Sequence, residues 1–380
     1  MLIYWANTNG GEFDTAADWD TDQVPPSNQV PGAGDIAAMV APALALYTVD
    51  DNDGAATTVA AFATGPDTIF EISNDSSFSA TEGTGTGVNA GEVAVEDESA
   101  LDVGGALDNT GGISLNSTGH FTTLTFLKST SMTGGGQIDL SDSGDNIIQI
   151  GGGAAPVAII TNVNNTIQGG GKIISAASFA LFINDKNGVV DADGGPLTVA
   201  VGDDSEFLNS GSLTATFGGT LLFTNGTLIN VAGADLGSDD GAVEFQGETV
   251  AGGTFSTNTA LDQGIVEFLS TNNELLSFQA GGVDALVTND GALALADGAS
   301  VAMAGVIDDN GADGGTIDLE GSAALTDLIV GAGGTGQLTL TGSGKVDLSD
   351  SDQNYVTAAS GMETPTELIN VNNDISGRHD

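Results

Sequence analysis

Carboxylates are the one chemical group this chain has in quantity. Asp and Glu number 52, against five Lys and Arg and two His, for a formal net charge of -47. Acids in that number suit paired-carboxylate hydrolysis or coordination of a hard cation such as calcium. The segment Asp350-Ser351-Asp352-Gln353-Asn354 starts like a calcium loop, with oxygens at positions one, three and five. Asp350, Asp352 and Asn354 are therefore the candidate metal ligands. Tyr355 stands where such a loop needs Gly, and no Glu follows at position twelve. The related segment Asp142-Ser143-Gly144-Asp145-Asn146 lacks the middle ligand. Asp50-Asp51-Asn52-Asp53-Gly54 and Asp191-Ala192-Asp193-Gly194 are further acidic turns, and Gly314-Gly315-Thr316-Ile317-Asp318 breaks the nonapeptide calcium repeat at its fourth residue. No resident cofactor is expected, beyond Ca2+ held loosely by the acidic surface.

Catalysis by these acids would need partners that the sequence hardly provides. A polysaccharide lyase needs a base plus a cation to neutralise a uronate, and a hydrolase needs one carboxyl with a raised pKa. Lys128, Lys172, Lys186, Lys345 and Arg378 are the whole cation supply, and His120 and His379 the only imidazoles. Neither His has a neighbouring Lys or Arg except the Arg378-His379 pair at the C-terminus. Asp203-Asp204 and Asp239-Asp240 read as solvated turn acids, and His120 as an exposed residue at a strand end. No catalytic residue is assigned, and the chain is expected not to be an enzyme. The alternative is a carbohydrate-active β-helix enzyme, a lyase or hydrolase, with a groove that gathers acids from adjacent coils beside a His or Lys. A calcium-dependent surface module is the third reading.

The same charge disfavours phosphate backbones and anionic lipid heads, so neither nucleic acid nor a membrane surface is an expected partner. No apolar run approaches a membrane span of about 20 residues. Cysteine is absent, which leaves no disulfide framework and no thiolate metal site. There is no phosphate-cradling Gly-x-x-x-x-Gly-Lys-Ser/Thr. Apolar residues still make up 40% of the chain, enough for a core. Met1-Leu2-Ile3-Tyr4-Trp5 lacks the basic and apolar regions of a cleaved signal peptide, so export that reads no N-terminal signal, or a signal lying elsewhere, is expected.

The elements that must carry these residues are short strands. Thr68-Ile69-Phe70-Glu71-Ile72, Glu92-Val93-Ala94-Val95 and Ile113-Ser114-Leu115 place apolar side chains two apart, as a half-buried strand requires. Gly interrupts every candidate helix. Gly134 to Ser143 returns as Gly342 to Ser351, and Asn162 to Ile167 as Asn370 to Ile375, at a constant offset of 208; Ile113 to Leu124 returns as Ile317 to Leu328 at 204. The four extra residues of the second copy fall within Gly331 to Gly336, a loop by composition. Asn109, Asn187, Asn209, Asn225 and Asn289 recur in an Asn-(x)-Gly pattern that suits tight corners, with Asn side chains bonding along a stack.

Trp5, Phe13 and Trp19 followed by Val30-Pro31 and Gly34-Asp35 resemble the recurrent opening of large β-strand-repeat bacterial surface proteins, of the autotransporter-passenger and haemagglutinin-like adhesin type. Gly342 to Leu348, Leu368 to Gly377 and Asn209 to Leu213 resemble the strand-turn repeats of that family. The resemblance implies a parallel β-helix, export and a role in surface display or adhesion.

The expected fold is all-β, an elongated parallel β-helix, or β-solenoid, of ~19 coils at ~20 residues each, with an aromatic-rich N-terminal cap. Residues 1–46 form the cap segment and 47–380 the solenoid. Repeat copy one covers about 101–172, intervening coils 173–300, and a truncated copy two about 301–380. The aromatic cap is expected to plug the core, the alternative being a sugar-binding platform. The expected function is a structural or adhesive segment of a secreted or surface-displayed bacterial protein. Its expected partner is a cell-surface or matrix component, carbohydrate included, with self-association through an open C-terminal coil.

Overall fold

The computed structural model describes residues 1–21, 27–152, 156–202, 204–231, 233–257, 264–280, 283–310, 315–361 and 365–377. The chain is all-β and forms a parallel β-solenoid of about 13 turns. It divides into two compact units, Met1–Val189 and Val190–Asp380. The only helical element among the described residues is the 3-10 turn Ala16–Asp18.

The coils are longer than the sequence suggested. Glu92 pairs with Gly112, 20 residues on, but Ile113 pairs with Ile138 and Gln137 with Thr166, 29 residues on. Each full coil carries three strands and three corners, and the corners vary freely in length. Counting Asn-Gly corners therefore overestimates the number of coils.

In the first unit, one ladder stacks Tyr47–Asp51, Thr68–Ile72, Glu92–Glu96, Gly112–Asn116, Gln137–Leu140 and Thr166–Gly169. A second stacks Ala56–Val59, Ser77–Ala80, Ala100–Val103, Thr122–Phe126, Asn146–Ile150 and Gly171–Ser175. A third includes Leu107–Asp108, Thr130–Thr133, Val157–Asn162 and Phe179–Asn184. All are parallel and in register. The alternating side chains put Phe70, Ile72, Ile113, Leu115, Ile138 and Ile148 inside, each fully buried. A one-residue slip would turn that row to solvent, so the alternation fixes the register.

The N-terminal aromatics close this core. Leu2–Trp5 pairs antiparallel with Trp19–Thr21 and parallel with Ile36–Met39, which pairs with Ala61–Thr64. Trp5 and Trp19 meet edge to face at 5.0 Å, and Phe13 bridges Trp19, at 4.9 Å, to Phe78, at 5.4 Å. Trp5 is 2% exposed and Trp19 0%, and their indole N–H groups donate to Asn7 O and Phe13 O. Rings this deeply covered serve as a plug, which removes the sugar-platform alternative.

The second unit repeats the three-ladder plan. One ladder runs Pro196–Ala200, Thr220–Thr224, Ala242–Gln246, Ile265–Phe268, Ala292–Leu295, Thr316–Leu319, Lys345–Leu348 and Asp374–Gly377. Another runs Ser212–Thr216, Asp235–Asp239, Gly253–Thr257 and Val287–Asn289, then the second half of Ser300–Asp309, Gln337–Gly342 and Glu367–Asn370. The third includes Glu206–Asn209, Thr227–Asn230, Thr249–Ala251 and Asn273–Leu276, then the first half of Ser300–Asp309, Thr326–Val330 and Asn354–Ala358. Phe223, Phe245 and Phe268 stack along its core at centroid spacings of 5.9 and 5.0 Å.

Buried amides run along the corners. In the first unit Asn89 donates to Asn109 at 2.7 Å, Asn109 to Asn165 at 3.1 Å, and Asn162 to Asn184 at 3.0 Å. In the second, Asn209 donates to Asn230 at 2.5 Å and Asn289 to Asp309 at 2.9 Å. Asn209 and Asn230 lead into the Ser212–Thr216 ladder, whereas Asn289 and Asp309 lead out of it, so the amide stack changes corner within this unit. Of the five Asn picked out by sequence, Asn109, Asn209 and Asn289 are buried ladder members. Asn187 and Asn225 are exposed, the latter with φ 53.

Candidate functional site

A surface cleft lies at one corner of the first unit, where the turns after Thr68–Ile72, Glu92–Glu96, Gly112–Asn116 and Gln137–Leu140 stack. They line it with Asp75, Glu98, Gly119, His120, Phe121 and Asp145. Asp97 organises the corner. Its carboxylate accepts from Thr118 N at 2.8 Å, Thr118 Oγ1 at 2.9 Å, His120 N at 3.1 Å and His120 Nδ1 at 2.9 Å. His120 Nε2 lies 3.5 Å from Glu98. The hydrogen bond from His120, then those from Thr118, hold the Asp97 carboxyl well below the usual carboxylate range. The Asp97 bond, then the charge of Glu98, raises the His120 pKa. Phe121 is 62% exposed, and Lys172 Nζ sits 6.0 Å from its ring centroid. The corner thus presents an aromatic face, a cation and several carboxylates to solvent, a mixture suited to a polar ligand with an apolar face such as a sugar.

The counterpart corner in the second copy keeps the scaffold and loses these groups. Asp297 accepts from Ser322 N at 2.8 Å, Ala323 N at 3.0 Å and Ala324 N at 2.9 Å, and those three bonds lower its pKa to about 2. Ala324 and Leu325 stand where His120 and Phe121 do, Gly298 in place of Glu98, and Gln353 in place of Asp145.

A second grouping is a carboxylate row on one ladder of the second unit. Glu244 pairs in register with Glu267, and Asp318 with Asp347, with Lys345 Nζ 2.5 Å from Asp347. Burial, then repulsion from Glu320 and Glu244, raises the Glu267 pKa to about 7. Burial raises Glu244, and burial with repulsion from Asp347 raises Asp318. Acids from adjacent coils with a Lys beside them are the grouping that an enzyme on this scaffold would need.

The candidate metal ligands Asp350, Asp352 and Asn354 lie at the corner after Lys345–Leu348. Asn354 Oδ1 accepts Gly321 N–H at 2.7 Å, and its Nδ2 donates to Ser349 Oγ at 2.8 Å, so the amide is turned into its corner. Asp352 accepts from Gln353 Nε2 at 2.9 Å. Among the described residues, no group of three or more His, Cys, Asp and Glu is placed to hold a metal ion. Asp204 is exposed, as are Asp239 and Asp240; Asp203, Arg378 and His379 lie outside the described residues. No described helix is long and apolar enough to cross a membrane.

Two features escaped the sequence. Asn162, Asn165, Asn184 and Asn230 belong to the buried ladders but do not fit the Asn-(x)-Gly pattern, and Asn89 joins them although it does fit it, in Asn89-Ala90-Gly91, and was not picked out. Asp309 occupies the place of Asn109, hidden because it is an acid and because four more residues separate it from Ile317 than separate Asn109 from Ile113. No protein-family model, no curated protein and no solved structure matches the chain.

Proposed function

We propose that this solenoid is a non-enzymatic structural or adhesive segment of a secreted or surface-displayed bacterial protein of the autotransporter-passenger or haemagglutinin-like type. The observation that carries the reading is the His120 corner. Its acid and imidazole are used to tie one turn to the next, while Phe121 and Lys172 are left outside as contact groups. The partner is a cell-surface or matrix component, with carbohydrate the first class to test. The experiment is binding of the intact chain to an immobilised panel of neutral and acidic glycans, repeated with Phe121→Ala. Retention that weakens about tenfold in the variant supports the reading, since losing an aromatic platform removes on the order of 1 kcal/mol or more. Retention by no glycan, or equal retention of both proteins, counts against the corner as the contact surface.

The carboxylate row favours a second reading, a polysaccharide hydrolase. Glu267 keeps its proton to about pH 7, which suits it to act as a general acid, with Glu244 in register on the adjacent coil as its partner carboxylate. Turnover of any polysaccharide that Glu267→Gln abolishes would replace the adhesive reading by this one.

A further inference from the structure

The two sequence copies differ at one buried joint, and the difference is a missing hydrogen. In copy one, Asn109 receives the Asn89 amide on Oδ1 at 2.7 Å. Its own Nδ2 donates to Asn165 Oδ1 at 3.1 Å and to Gln137 O at 3.0 Å. In copy two, Asp309 receives the Asn289 amide on Oδ1 at 2.9 Å. Its Oδ2 takes the place of the asparagine Nδ2. A Cβ added to Gly136 would stand 2.8 Å from Asn109 Nδ2, and one added to Gly344, the equivalent glycine, 2.2 Å from Asp309 Oδ2.

The receiving side is conserved between copies as well. Asn165 N donates to Asn162 Oδ1 at 2.8 Å and Asn165 Nδ2 to Thr133 O at 3.2 Å; Asn373 N donates to Asn370 Oδ1 at 2.9 Å and Asn373 Nδ2 to Thr341 O at 3.0 Å. Asn373 Oδ1 is thus the counterpart of the oxygen that Asn109 satisfies. Asp309 Oδ2 and Asn373 Oδ1 are both buried and both without a hydrogen-bond partner. An ionised Asp309 would put two acceptors at a joint built for a donor and an acceptor, and orphaned buried groups of this kind are costly.

We infer that Asp309 is protonated in the folded chain and donates its proton to Asn373 Oδ1, which makes this joint a pH-operated latch on the strands Glu367–Asn370 and Asp374–Gly377. Deprotonation sends the proton to solvent and leaves the two oxygens facing without a hydrogen. The surroundings oppose ionisation. Asp308 on the same strand and Asp318 on Thr316–Leu319 repel a second charge, whereas Asn289 stabilises it through its hydrogen bond and the Lys345 amide slightly. The Lys345 ammonium is engaged by Asp347, with Asp374 nearby. Burial is the largest influence, and together these raise the Asp309 pKa to about 7. A raised carboxyl stabilises the fold fully below the ordinary aspartate range and loses that stabilisation as pH rises through about 7.

The test is amide hydrogen exchange of residues 367–377 in the full chain at pH 5 and 7.5, corrected for intrinsic exchange, in wild type and Asp309→Asn. Local opening in wild type should grow on the order of 50-fold between the two pH values. In Asp309→Asn it should stay flat, and at pH 7.5 fall below wild type. Asn109→Asp should import the same pH dependence into 137–169, and it keeps the proposal testable should Asp309→Asn fail to fold. Equal pH dependence in wild type and Asp309→Asn, or none in Asn109→Asp, overturns the latch. So does a carboxyl carbon resonance of Asp309 that titrates in the ordinary aspartate range.

Discussion

In copy one the turn from Ser117 to Phe121 is gathered by Asp97; in copy two the turn from Gly321 to Leu325 is gathered by Asp297. The next corner matches as closely. Asn146 Nδ2 donates to Ser141 O at 2.7 Å and Ser141 Oγ at 2.9 Å, and Asn354 Nδ2 to Ser349 O at 3.2 Å and Ser349 Oγ at 2.8 Å. Among what departs are the groups shown to solvent, His120 and Phe121 against Ala324 and Leu325, and a buried polar residue, Asn109 against Asp309. The shared residues therefore specify corners, and the differences are where the two proposals rest: surface contact in one copy, proton sensitivity in the other.

The comparison is broken most severely at the glycines both copies share. Gly134 has φ +102 and a Cβ there would sit 2.3 Å from Asn109 O; Gly342 has φ +95 and its Cβ would sit 2.2 Å from Asp309 O. Gly134→Ala and Gly342→Ala should each destabilise their coils by roughly 3 kcal/mol or more, from backbone strain plus the clash. Urea unfolding followed by exchange of the flanking strands measures both, and a harmless substitution in either copy would mean the two corners are not alike.

A smaller and unequal effect is expected at the corner asparagines. Asn146 is fully buried, while Asn354 is only partly covered. Asn146→Ala leaves buried groups unpaired and should cost about 2–3 kcal/mol, and Asn354→Ala about half of that because water reaches the vacated groups. Equal losses would show that burial does not set the difference.

The smallest effect sharpens the contrast through pH. His120 has a raised pKa, so its contribution is complete below the ordinary histidine value near 6.5 and is lost as pH rises through the folded value. Asp297 has a lowered pKa of about 2, so its contribution is complete above the ordinary aspartate value and is lost as pH falls toward 2. Exchange at 117–121 should quicken between pH 6 and 8 beyond the intrinsic rate, while 321–325 stays protected there and loosens only in acid. His120→Ala should remove the first response, and Ala324→His should transplant part of it.

Alternation in stretches such as Thr68–Ile72 was enough to read parallel β-coils, because one buried face imposes a period of two whatever surrounds it. The aromatic cap was legible for the same reason: Trp5, Phe13 and Trp19 need cover that a Gly-rich chain offers only at its core. The coil count was not legible, since corners such as Ser141 to Asp145 and Gly134 to Gly136 change length without disturbing the strands they join. The candidate cleft was half legible. His120 was visible as an exposed residue, but Asp97 meets it, and Lys172 meets Phe121, only because coils stack, and no spacing along the chain encodes those neighbour relations. The corner role of Asn354 was not legible either, since its amide bonds Gly321 and Ser349 across the turn while the local composition reads as a calcium loop.

The migration of the amide stack from the Asn209 and Asn230 corner to the Asn289 and Asp309 corner bears on how such chains are inherited. A strand-corner-strand cassette that seats at more than one vertex of a triangular coil can be copied, deleted or lengthened without respecting whole turns. Lineages of this protein should then differ by fractions of a turn, and a corner such as the one that carries Phe121 can be moved around the axis by recombination alone.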